Sequence, residues 1–191
     1  MKDPQNFTPA SQQEWHNWLK ANYESEEAVW LIIYKKGSGI PSLTWSEAVD
    51  EALCFGWIDS VKKTIDKEKY KQYFCKRKPK SIWSKINKEK VEQLIAEKRM
   101  TPAGMRCIEI AKQNGSWTFL DSVDALIIPK DLEAELDNNP RAKDYFEGLS
   151  NSAKKLLLYW VISAKREETR SKRIIEIAEN AALGTKPKAF R

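Results

Sequence analysis

The sequence predicts an α+β fold: a small antiparallel three-stranded sheet with N-terminal helices, followed by an all-helical C-terminal part. Three observations carry this prediction. "AVWLIIYKK", residues 28 to 36, is β-branched and aromatic on both faces, as a strand covered on both sides would be. "WIDSVKKTI" and "KYKQYFCKR" flank the turn "DKE" and read as an antiparallel hairpin. After Pro79 the pattern is helical throughout.

Each element has a local reason. Ser11 and Glu14 have capping-box spacing, so a helix starts there with Trp15, Trp18 and Leu19 on one face. "GSGIPS" after the first strand is a loop. Thr44 and Glu47 repeat the capping spacing, and Ala48, Val49, Ala52 and Leu53 form the inner stripe of a second helix. Gly56 stands where a left-handed C-terminal cap belongs. Beyond Pro79, Asn87 is expected to cap a helix with Val91, Leu94 and Ile95 inside. Thr101-Pro102 opens another, which Gly115 ends. Residues 116 to 128 read as a loop packed by its apolar side chains. Pro129 and Asn139-Pro140 each start a short helix. Residues 150 to 165 are apolar almost all round and are expected at the centre of the helical part. A last helix over 167 to 182 ends at Gly184, and the tail "TKPKAFR" is expected to be loose. Two domains follow from the composition break: residues 1–80 as an α+β unit and 81–191 as a helical part. One continuous core is the alternative.

Composition excludes several classes. The chain has 191 residues, 41% hydrophobic, with eight Trp. That suffices for a core and argues against disorder. The longest apolar run, "LLLYWVI", is too short to cross a bilayer. "MKDPQNFTPASQQEW" contains no apolar export segment. Cys54, Cys75 and Cys107 are too few and too scattered for a disulfide framework. The sequence therefore predicts a reduced, cytoplasmic protein.

Chemistry is restricted in the same way. His16 is the single histidine, and it and the three cysteines match no zinc spacing. Neither a phosphate-binding glycine loop nor a nucleophile elbow occurs. Cys54 with His16 as base is a conceivable nucleophile, but Cys54 lies at the end of an apolar helix, where a cysteine packs as a small hydrophobe. No metal or cofactor is expected, and no catalytic residue is assigned. Glu47, Asp50 and Glu51 read as a solvated helix face. Asp59, in "WIDS", would share a strand face with Trp57 and Val61, which demands a partner or shifts its pKa. A structural ion pair and an acid/base role are the two readings.

Charge is local. The net charge is +6, and residues 61 to 90 hold twelve Lys or Arg against Asp66, Glu68 and Glu89. That segment carries +9, so the rest of the chain sums to −3. Tyr70, Phe74 and Trp83 interleave with these cations over residues 69–88, a composition that suits phosphates and stacked bases. The same lysines also suit a protected sheet edge. Arg77, Lys78, Lys80 and Ser81 lie beside a helix start, where backbone N–H groups favour an anion.

The blocks "WLIIYKKGSGIPSLTWSEAVDEALCFGWIDS", "YFCKRKPKSIWSKIN", "LIAEKRMTPAGM", "NNPRAKDYFEGLSNSAKK" and "WVISAKREETRSKRI" together resemble the YdeI/OmpD-associated, or bacteriocin-protection, family, over residues 7 to 184. The resemblance implies a YjbR/frataxin-like N-terminal part, and a role in protection from bacteriocins or cationic peptides. It supplies no catalytic residue. Frataxin-like proteins bind iron through an acidic ridge, and the corresponding region here is basic.

The sequence thus leads to a non-enzymatic binding protein tied to envelope or antimicrobial-peptide stress. Asp59, Lys76, Arg77, Lys78, Lys80, Ser81 and Trp83 are its candidate ligand surface, meeting an anionic group. Nucleic acid is the second candidate ligand, an enzyme using Asp59 the third reading, and a protein partner remains open.

Overall fold

The computed structural model describes residues 4–190, which form two compact units, one up to residue 118 and one from 119. The boundary falls well after the composition break at Pro79, because two helices beyond it belong to the core of the first unit.

The first unit contains β1 (Asn6–Phe7), α1 (Gln12–Asn22), β2 (Ala28–Tyr34), α2 (Trp45–Cys54), β3 (Trp57–Thr64), β4 (Lys69–Lys76), α3 (Lys85–Ala96) and α4 (Pro102–Asn114). The sheet has four strands, not three, in the order β1-β2-β4-β3. The added strand, β1, pairs parallel to β2, so the sheet is mixed. Two residues show no periodicity, which is why this strand escapes a pattern search. The β3–β4 hairpin has the expected pairing, and β4 also pairs antiparallel with β2. Register shifts between Asp59 and Lys62, a bulge that separates Asp59 from Val61. Val61 is accordingly exposed, and the face expected for Trp57, Asp59 and Val61 is broken.

Helix ends follow side-chain chemistry. Ser11 Oγ accepts from Glu14 N. Thr44 and Glu47 form a full capping box. Thr101 caps α4 with Pro102 behind it, and Gly56 and Gly115 have positive φ. Ser84 rather than Asn87 caps α3; Asn87 is the residue whose N–H the cap receives. Ile95 is exposed, not inside.

The core of this unit joins Trp15 and Leu19 of α1, Val29, Leu31 and Ile33 of β2, the α2 stripe, Phe74, Trp83, Val91, Leu94 and Ile108. Gly104 is the tightest point. A Cβ there would lie 2.4 Å from Cys54 O and 2.8 Å from Leu53 O. Only a residue without a side chain lets α4 lie against the end of α2.

The second unit contains α5 (Asp121–Asp124), α6 (Lys130–Asp137), α7 (Pro140–Glu147), α8 (Asn151–Ile162) and α9 (Glu167–Ala182). A turn of helix, α5, thus interrupts the stretch expected to be loop. The hub is α9, which packs against α6, α7 and α8. The expected centre, α8, leaves Leu156 and Tyr159 exposed. Arg170 holds Asp131 through two hydrogen bonds, at 2.6 and 2.9 Å. The tail is not loose through Phe190: residues Lys188–Phe190 form a 3₁₀ turn, and Phe190 meets the edge of Trp160 at 5.2 Å. No helix among the described residues is long and apolar enough to cross a membrane.

Candidate anion-binding site

Arg77 follows the last residue of β4, and its N–H donates to Gly56 O at 2.9 Å, extending the ladder with the start of β3. This places its side chain under the turn at Pro79–Lys80. That turn is fastened to the end of α4: Asn114 Nδ2 donates to Pro79 O at 2.7 Å, Ser116 Oγ to the same oxygen at 3.5 Å, and Trp83 N to Ser116 O at 3.2 Å. Trp83 is thereby held against Trp117, with ring centroids 5.0 Å apart. The Arg77 guanidinium lies over the Trp83 ring at 3.6 Å and donates from Nη2 to Ile82 O at 2.8 Å.

Arg77 is only 7% exposed. Its Nε and Nη1, and the Trp83 Nε1, have no hydrogen-bond partner among the described residues. No carboxylate among the described residues pairs with it, and burial pushes the Arg77 pKa down to about 10. A buried cation with two idle donors is costly unless an acceptor arrives.

Two cavities are lined by Arg77. One of about 30 Å³, enclosed by Arg77, Lys78, Pro79, Trp83, Cys107 and Ile110, has room for a water molecule or a small ion. The other, about 280 Å³, opens between Tyr23 and Glu24 after α1, Gly56 and Trp57 at the start of β3, Lys76, and the α4 face of Ala103, Arg106, Cys107 and Ile110. Its walls are mostly apolar, and its cations are Lys76, Arg77 and Arg106. Glu24 is the acid at its edge.

The expected surface is only partly assembled. Arg77, Lys78 and Trp83 share the small cavity, and Lys76 joins Arg77 at the larger one. Lys76 is also tied to Glu27 at 2.6 Å and to Glu24 O at 2.8 Å. Lys80 is exposed, and it and Ser81 line neither cavity. Asp59 lies away from both. Its Oδ2 accepts from Trp45 Nε1 at 2.9 Å and Gln72 Nε2 at 3.1 Å, neutral donors in place of the ion pair expected for it. Arg106, Cys107 and Tyr23 were not legible as site residues, because they join it from α4 and the end of α1, far along the chain.

Other groups are accounted for by packing. Burial pushes the Cys54 thiol up to about 12, and the helix-end position gives it no activation. Burial also raises Cys107, which Arg77 and Arg106 partly offset. Glu51 is not on a solvated face. It is 5% exposed and accepts from Gln12 Nε2 and Arg99 Nη2 at 2.7 Å, with His16 Nδ1 at 2.8 Å. Asp50 pairs with Lys90 at 2.6 Å.

Two family models match the chain. The model described as a domain of unknown function (DUF8412) covers residues 7–107, and the one described as "Bacteriocin-protection, YdeI or OmpD-Associated" covers residues 125–184. The resemblance to the latter family is therefore met in the second unit. The YjbR/frataxin-like kinship expected for the first unit finds no support in these matches. A comparison with curated proteins gives no match, and neither does one with solved structures.

Proposed function

We propose that this chain, which belongs to the DUF8412 family through the match over more than half its length, is a non-enzymatic receptor for a small organic anion. The carrying observation is Arg77: a buried guanidinium, stacked and oriented, with two donors unpartnered and no counter-charge among the described residues. An anionic group brought to it would supply both the missing acceptor and the missing charge. The apolar walls of the larger cavity favour a ligand with a compact apolar body. The volume suits something the size of an aromatic carboxylate or a short phosphate ester.

The description of the C-terminal match supports protection from bacteriocins or cationic peptides as the cellular setting. A cytoplasmic site of action goes with three free cysteines.

Calorimetric titration with benzoate, benzyl phosphate and neutral benzyl alcohol tests the reading. The two anions are expected to bind and the alcohol not to. Arg77→Met should abolish both signals while the melting temperature is retained. Equal binding of alcohol and anions, or anion binding that survives Arg77→Met, overturns it.

A further inference from the structure

The sheet has a second face, whose residues line neither of the Arg77 cavities. Alternation along β2 and β4 puts Leu31, Ile33, Gln72 and Phe74 against the helices of this unit, all of them buried. The intervening residues face the other way and are half-buried: Trp30, Ile32 and Tyr34 on β2, Lys69, Lys71, Tyr73 and Cys75 on β4. Register sets Trp30 opposite Tyr73, Tyr34 opposite Lys69, and Lys63 of β3 opposite Lys71.

Trp30 is the centre of this face. The Tyr73 and Trp30 rings form a T-shaped pair with centroids 5.0 Å apart. The Lys71 ammonium lies 4.5 Å from its ring centroid and that of Lys63 5.2 Å. Lys69 sits 5.5 Å from the Tyr34 ring. The strands place no acid here: Asp59 is on the opposite face with Trp45 and Gln72, and of the turn acids Asp66 pairs with Lys69 at 3.9 Å. Lys63 and Lys71, directly opposite each other on neighbouring strands, repel one another. They are tolerated on flexible stems over aromatic rings, and polyanion binding would relieve them.

We propose that this face binds single-stranded nucleic acid, with bases stacking on Trp30 and Tyr73 and phosphates drawn to Lys63, Lys69 and Lys71. Ring faces favour unpaired bases over a duplex, whose bases are already stacked. A base arriving over Trp30 displaces the ammonium groups outward, toward the phosphates that flank it. An acidic protein would satisfy the lysines but leave the ring faces unused.

Fluorescence anisotropy on the full chain, with labelled oligothymidylate and oligouridylate of about 12 nucleotides, tests this. Binding at low salt is expected to weaken with a log–log slope of about −2, three phosphates at roughly 0.7 each. Tyr73→Ala and Trp30→Leu should each raise Kd about tenfold, the stacking of one base. The double variant Lys63→Glu/Lys71→Glu should abolish binding, a duplex of the same sequence should bind more weakly, and Arg77→Met should leave Kd unchanged. If Trp30→Leu does not fold, Tyr73→Ala and the double variant decide. No binding at low salt, equal or tighter binding of duplex, or parental affinity in folded Tyr73→Ala overturns the proposal.

Discussion

The Arg77 guanidinium lies 3.6 Å from the centroid of Trp83, and its Nε and Nη1 find no hydrogen-bond partner among the described residues. That pairing makes Arg77 a poor stabiliser. Arg77→Met keeps the volume, loses one hydrogen bond to Ile82 O, and removes an uncompensated buried charge. Its melting temperature is expected to stay within about 2 °C of the parent or to rise. A fall of ten degrees or more in a thermal scan would make Arg77 a structural anchor instead.

The pH dependence of that difference has a fixed sign. A cation whose pKa is lowered on folding, here to about 10, binds fewer protons than the unfolded chain only above that value. The penalty of burying Arg77 is thus constant below about pH 10 and relieved above it. The stability gap between parent and Arg77→Met should therefore be flat through neutral pH and shift in the parent's favour as pH rises beyond 10. Urea midpoints measured as a pH series check both limbs.

Gly104 predicts a large loss. Gly104→Ala places a methyl 2.4 Å from Cys54 O, so α4 must move off the end of α2. The expected cost is about 3 kcal/mol, in the range of overpacked cores. Denaturant unfolding measures it, and a change below 0.5 kcal/mol, an order-of-magnitude floor for surface sites, would refute the contact.

Glu51 ties three partners from two other segments. Glu51→Ala leaves Arg99 and His16 without their carboxylate. Because both partners are about one-third exposed, the expected cost is about 2 kcal/mol rather than the larger value for a fully buried pair. Glu51→Gln, which keeps an acceptor oxygen, should recover part of it in the same unfolding experiment.

The Thr44 capping box predicts acid sensitivity. Hydrogen bonds from Thr44 hold the Glu47 carboxyl below its usual range. A lowered carboxylate stabilises the fold above the ordinary glutamate value of about 4.3, and this is lost as pH falls through the lowered value. Thr44→Ala is expected to cost about 1 kcal/mol at pH 7. The difference should shrink toward pH 3, and unfolding curves at the two pH values give the comparison.

What the sequence made legible was local. Ser11 with Glu14, Thr44 with Glu47, and Thr101 with Pro102 announce helix starts within four residues, and the structure uses each. The hairpin is equally local. The parallel strand Asn6–Phe7 is too short to show a period, and the bulge after Asp59 has no signature in the residues themselves. Glu51 looks solvated on a helical wheel, and is covered by partners distant in sequence: Gln12 and His16 from α1, and Arg99 from 48 residues away. Arg77 and Trp83 stood out by composition, whereas the cavity around them depends on an α4 face that periodicity assigns to packing.

Pro79 O, fixed by Asn114 and Ser116, couples the turn that carries the charge to the helix that walls it. The guanidinium is then a constant, while Ala103, Arg106, Cys107 and Ile110 project from one stripe of α4 as lining. Exchanging Ala103 and Arg106 would re-shape the larger cavity, whereas Cys107 and Ile110 also enclose the small cavity beside Arg77. Under the proposed anion-receptor role, selectivity and affinity would be separable within a single scaffold, a division that would make the first unit a starting point for engineering receptors to new acids.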